Sequence, residues 1–126
     1  LQPGLGLGDL VLALGAGTDS SVNRIRCHGH DFPATASWSL LEPVARRALD
    51  GGRPAHVGNV FSSDLFYHPD AGLHARLREL GFLAIEMEAA GLYGLAAELG
   101  FEALAVLTVT DQVGRPEAMT AVERET

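Results

Sequence analysis

Glu86-Met87-Glu88 places two carboxylates around a thioether, between an apolar run and the small-residue stretch Ala89-Ala90-Gly91. An ionised carboxylate only accepts hydrogen bonds, and its two oxygens can take both protons of a vicinal diol. The triplet therefore has the chemistry to hold a sugar. Downstream, the apolar run 103–110 ends abruptly in Asp111. Upstream, Gly58 to Tyr67 closes a short apolar segment with Ser62, Ser63, Asp64, Phe66 and Tyr67. In an open α/β sheet the ligand site lies beyond the carboxyl ends of the strands, and Asp111 is expected at such an end.

Each of these residues also has an ordinary role. A lone Asp after a strand is commonly a cap or turn residue, acidic residues favour first helical turns, and a phenylalanine such as Phe66 is as often a core side chain. The geometry of the carboxylates stays open on sequence grounds. If a strand continues through the triplet, Glu86 and Glu88 project from one face and Met87 from the other. If a helix begins at Glu88, that alternation fails and Glu88 stands beside the positive end of the helix dipole.

Two further clusters invite chemistry and do not support it. Cys27-His28-Gly29-His30-Asp31 collects metal-ligating types, but none of the zinc spacings occurs and a fourth ligand is missing, so no metal is expected. Gly4-Leu5-Gly6-Leu7-Gly8 has the glycine content of a phosphate loop, but it precedes the first strand instead of following it. It is expected to be a flexible lead-in.

The elements that must position these residues alternate. Leu10 to Leu14 is a short apolar run closed by Gly15-Ala16-Gly17 and fits a buried strand. Thr18 to Pro33 is polar and His-rich, and is expected to be a long loop. Ser39 to Leu49 has helical apolar spacing and stops at Gly51-Gly52. His56 to Phe61 fits a strand, Leu73 to Leu80 a helix ended by Gly81, Phe82 to Met87 a strand, and Glu88 to Leu99 a helix ended by Gly100. Ala103 to Thr110 is the clearest strand, being apolar and rich in β-branched residues. Strands alternating with helices define an α/β fold.

Composition narrows the partners. The 126 residues carry a net charge of -7 and every cation is Arg, with no Lys. Phosphate backbones need clustered positive charge, so a general nucleic-acid surface is excluded, while small anions remain possible. No run approaches the roughly 18 apolar residues that span a bilayer, and no basic-then-apolar leader is present, so a soluble protein is expected. One cysteine cannot form an internal disulfide, which points to a reducing compartment, the cytoplasm. The chain opens on Leu1 instead of Met, and Met119 to Thr126 reads as the start of a helix without a C-terminal cap; a partial chain is expected.

Taken in order, Gly15 to Arg26, Gly58 to Tyr67, Glu86 to Glu98 and Thr108-Val109-Thr110-Asp111 resemble the bacterial hexameric type of purine nucleoside phosphorylase. The resemblance covers most of the chain and corresponds to the C-terminal half of a subunit, with the N-terminal half absent. Residues 1–126 are then a partial nucleoside phosphorylase domain, an incomplete mixed β-sheet flanked by helices.

The implied reaction is phosphorolysis of purine (deoxy)ribonucleosides to free base and (deoxy)ribose 1-phosphate, with inorganic phosphate as co-substrate and no cofactor. The resemblance assigns Asp111 as proton donor to purine N7 and Arg124 as its cationic support. Glu86, Met87 and Glu88 bind the nucleoside, Thr110 lies next to the base, and Phe66 stacks on the purine. His74 stands where a second aromatic wall is frequent, and Gln112 replaces a frequent histidine.

In that family phosphate is held mostly by the N-terminal half and by a neighbouring subunit of a homohexamer, so this chain alone is expected to be weakly active or inactive. Two rivals remain: a uridine phosphorylase or nucleoside hydrolase of the same superfamily, and a non-catalytic nucleoside-binding fragment.

Overall fold

The computed structural model describes residues 1–113. Arg124 and the helix expected from Met119 lie outside the described residues. The elements run β1 (Leu10–Thr18), α1 (Val22–Arg26), α2 (Trp38–Asp50), β2 (Ala55–Ser62), α3 (Leu73–Glu79), β3 (Ala84–Glu86), α4 (Ala89–Leu99) and β4 (Val106–Thr108). They form a mixed four-stranded sheet of order β3-β2-β1-β4. β1 is parallel to β2 and β2 to β3, as helical crossovers require, whereas β4 returns antiparallel to β1.

One register organises the functional end of the sheet: Thr18 pairs with Ser62 and Ser62 with Glu86, so the carboxyl ends of three strands finish side by side. Val11, Ala13 and Val60 pack with Ala89, Ala90, Tyr93 and Ala96 of α4 in the main core. Alanines on this face of α4 let the helix approach the sheet closely, as the small-residue composition predicts. α2 also packs on β1 and β2, burying Leu41. Gly100 ends α4 in the left-handed conformation at φ 75°, where a Cβ would be strained.

Four expectations need correction. The Thr18–Pro33 segment is not all loop, because α1 forms within it. Ser20 Oγ accepts the Val22 N–H at 3.2 Å, Thr18 Oγ1 accepts the Ser20 N–H at 3.0 Å, and buried Asn23 donates to Ala90 O at 2.9 Å. A five-residue helix is too short to show a period.

The apolar run 103–110 yields only the three-residue strand β4. Tyr93 explains the shortening: its hydroxyl donates to Ala13 O at 2.5 Å and accepts the Ala105 N–H at 2.9 Å, occupying groups that would extend the ladder. Burial raises the Tyr93 hydroxyl pKa above its ordinary value, so the phenol keeps the proton it donates.

The Gly4–Gly8 lead-in is tied down. Leu5 is buried in the core, Asp9 accepts the Gly6 N–H at 2.9 Å, and Gly8 N–H donates to Val109 O at 2.8 Å. Glycines there serve the turn into β1 and leave Leu5 to supply the anchor.

Finally, Asp111 does not join the carboxyl ends of β1, β2 and β3. Leu10 pairs with Thr108, so the antiparallel β4 carries Asp111 out past the amino end of β1.

Candidate active site

Glu86 ends β3 and immediately turns back on the helix that follows. Its Oε2 accepts the N–H groups of Glu88 at 2.5 Å and Ala89 at 2.7 Å, and its Oε1 accepts the hydroxyl of Ser62. Ser62 Oγ in turn accepts the Ala90 N–H at 2.9 Å. The first turn of α4 is therefore satisfied from outside the helix, since Glu88 at the N-cap position makes no side-chain capping bond. The strand stops at Glu86, so the alternation open on the sequence does not extend to Glu88. Met87 and Glu88 are both exposed at the junction.

A cavity of about 690 Å³ adjoins this junction. Phe66, Glu86, Met87, Thr110 and Asp111 all line it, together with Ser63, His74 and Arg78. Both edge strands, β3 and β4, contribute walls, with Val11 of the central β1 and Leu5 of the lead-in between them. Asp111 and Glu86 leave opposite ends of the sheet, yet both are among the residues that line this cavity. Thr110 Oγ1 donates to Asp111 Oδ2 at 2.8 Å, and Gln112 Nε2 donates to Leu5 O at 2.5 Å, anchoring the segment after β4 to the lead-in. Glu88 is not among the residues that wall the cavity.

Phe66 is 76 % exposed and stands edge-on to Tyr67, with ring centroids 4.8 Å apart. It is a ring offered to solvent at the cavity wall and not a core side chain. His74 and Arg78, one helical turn apart on α3, face the same space. Their i, i+4 spacing was a visible signal for Arg78, which sequence reasoning left out. Arg78 Nε already donates to Leu1 O at 2.8 Å.

Around Cys27-His28-Gly29-His30-Asp31, Arg24 pairs with Asp31. Among the described residues no group of three or more His, Cys, Asp or Glu converges as a metal site would. No helix among them is long and apolar enough to cross a membrane.

A mixed sheet with helices on it and a cavity walled by carboxylates and an aromatic ring defines an α/β small-molecule site. The chain belongs to the phosphorylase superfamily, whose family model matches residues 1–126. It is 50 % identical over 117 residues to the purine nucleoside phosphorylase DeoD-type 2 of Vibrio parahaemolyticus, covering 93 % of this chain and 50 % of that protein. It is 52 % identical over 118 residues to the DeoD-type purine nucleoside phosphorylase of Colwellia psychrerythraea, covering 94 % and 50 %. For the DeoD-type protein of Myxococcus xanthus the identity is 51 % over 118 residues, covering 94 % and 49 %. The chain thus spans about half the length of the curated relatives it matches.

Proposed function

We propose that residues 1–126 are part of a nucleoside phosphorylase domain, and that the cavity takes a purine nucleoside for phosphorolysis. One observation carries the reading: Phe66, Glu86, Met87, Thr110 and Asp111, drawn from separate segments, share one cavity. Its volume lies within the range of ordinary small-molecule sites.

In the reaction, a phosphate oxygen attacks the anomeric carbon of the sugar while the bond from that carbon to purine N9 breaks. The electron pair passes to the purine. A base leaving as a free anion is costly, so Asp111 in its acid form delivers a proton to N7 and is left as a carboxylate. Arg124 is the cation assigned to that developing charge. The resemblance assigns the sugar hydroxyls to Met87, which walls the cavity, and to Glu88, which stands next to it at the strand–helix junction outside that wall, while the Glu86 carboxylate is engaged by the α4 turn. Phe66 supplies a ring face for the purine. Purine preference follows from Asp111, since a pyrimidine has no N7 to protonate.

Phosphate requires cations. The charged or chargeable basic side chains walling the cavity among the described residues are Arg78 and His74. This supports the further proposal that the 126-residue chain alone binds nucleoside but turns it over weakly or not at all. Homo-oligomeric assembly, hexameric in the family pattern, belongs to the same proposal, and exposed Ile25, Trp38 and Leu49 offer apolar surface for it. Inorganic phosphate is the co-substrate and no cofactor is invoked. A cytoplasmic setting suits the single cysteine, Cys27.

Inosine, uridine and methylthioadenosine, each with and without phosphate, test the reading. Binding of inosine in preference to uridine, with any base release dependent on phosphate, is expected. Uridine preference would favour a uridine phosphorylase, and phosphate-independent release a nucleoside hydrolase. Turnover matching a full-length phosphorylase would overturn the proposal of weak activity.

A further inference from the structure

The ring of Phe66 reaches the cavity from a loop that has little hold of its own. No hydrogen bond among the described residues ties the backbone of Phe66 or Tyr67. A single carboxylate grips the loop on either side of them. Asp19, the residue after β1, accepts the Asp64 N–H at Oδ1, 2.9 Å, and meets His68 Nε2 at Oδ2, 2.9 Å. Ser63 Oγ also approaches Oδ2, at 3.4 Å.

The imidazole is oriented from its other side, where Nδ1 accepts the Asp70 N–H at 3.0 Å. That bond places the ring hydrogen on Nε2, directed at Asp19. The side chains of His68 and Asp19 are only 17 % and 25 % exposed. The loop from Asp64 to His68 is thereby closed on one anion, with the two aromatic rings at its crest.

We propose that Asp19 and His68 are positioning residues for the nucleoside site, acting through Phe66: their contact fixes the loop so that the ring is presented at the cavity wall. This inference rests on the nucleoside reading above. Closing a short loop limits the conformations open to the residues between its ends, so an aromatic surface is set in place before the ligand arrives. Loss of either arm leaves the ring attached but unplaced.

The test compares Asp19→Ala, His68→Phe and His68→Gln with the wild-type chain by amide hydrogen exchange and by calorimetry with inosine. Gln keeps a donor that can reach Asp19, whereas Phe keeps only bulk. In Asp19→Ala and His68→Phe, exchange at the Asp64 N–H, which Asp19 accepts, should rise about tenfold and inosine affinity fall about tenfold, the scale of one lost hydrogen bond to a charged group. Exchange in α4 should stay at the wild-type level, and His68→Gln should restore both readouts.

Faster loop exchange with unchanged inosine affinity would overturn the proposal while leaving the nucleoside reading intact. So would unchanged loop exchange, or a Gln variant no better than Phe. If Asp19→Ala fails to fold, the two His68 variants decide the matter. A wild-type chain that binds no inosine overturns the nucleoside reading instead, and the exchange comparison then settles by itself whether the pair holds the loop.

Discussion

Ser62 Oγ donates to the Glu86 carboxylate where β2 and β3 end side by side, and the same oxygen accepts the N–H of Ala90. Two strand ends and the first turn of α4 are thus joined through one hydroxyl and one carboxylate at the edge of the cavity. Glu86→Ala removes the acceptor for two N–H groups and for Ser62. It should cost about 1–3 kcal/mol, the range for lost caps and hydrogen bonds to a charged group. Glu86→Gln keeps one carbonyl acceptor and should cost less. Urea unfolding of both variants checks the order, and equal losses would remove the carboxylate from this structural role.

Tyr93→Phe leaves the ring packed and removes only the oxygen that bridges Ala13 O and Ala105 N. The buried Ala13 carbonyl and the half-buried Ala105 N–H then lack a partner, at a cost of about 1–3 kcal/mol. Hydrogen exchange at Ala105 should rise with that loss. If stability and Ala105 protection both stay at wild-type values, the account of why β4 is short is wrong.

Gly94 tests the seam between α1 and α4. Replacing a helix-interior glycine by alanine ordinarily stabilises by up to about 1 kcal/mol. Here the added Cβ would lie 1.9 Å from Asn23 Oδ1, and Asn23 is buried with its amide donating to Ala90 O. The clash outweighs the propensity, and Gly94→Ala should destabilise by about 1–3 kcal/mol. Adding Asn23→Ala makes room, so the double variant should lose less than the sum of the single losses. Strict additivity in chemical unfolding would show that the two residues do not interfere.

Asp9 gives a pH dependence with a definite sign. The Gly6 N–H is the main cause holding its carboxyl below the ordinary value of 3.8; desolvation opposes the shift, and His56 and Arg53 add to it. A carboxyl whose pKa is lower folded than unfolded contributes stability that is fully present above the unfolded value. That contribution is lost as pH falls through the lowered folded value. The stability gap between the wild type and Asp9→Asn should therefore narrow on acidification below the unfolded value. Urea midpoints of both proteins across that range measure it, and a gap that stays constant would contradict the coupling.

Much of this architecture was legible in the sequence because the signals were local. Short apolar runs marked β1 and β2, helical spacing marked α2 and α3, and Gly100 marked where α4 stops. The remainder depends on contacts between distant residues. Glu86 looks like half of a symmetrical acidic pair, yet the strand ends there and its carboxylate serves the helix N–H groups, leaving Glu88 outside the cavity wall. The direction of β4 is set by pairing with β1, which no property of 103–110 reveals. Asp19 and His68 are 49 positions apart, a separation read directly from their numbers, and each looks like an ordinary loop residue until the fold closes.

The functional reading separates two side chains of the same cavity by what each should do to ligand binding. Phe66 is exposed, so Phe66→Ala should change stability by no more than about 0.5 kcal/mol. Loss of its stacking face should weaken inosine binding by about 1–3 kcal/mol, roughly one to two powers of ten in affinity. Asp111→Asn should behave in the opposite way. The acid acts as N7 takes its proton, so inosine affinity should stay close to wild type, while any measurable phosphorolysis falls by about 10²–10⁴-fold. Calorimetry with inosine, paired with a phosphate-dependent hypoxanthine-release assay, reads both effects on the same preparations. If Asp111→Asn loses binding while Phe66→Ala keeps it, the roles of acid and platform have been assigned to the wrong residues.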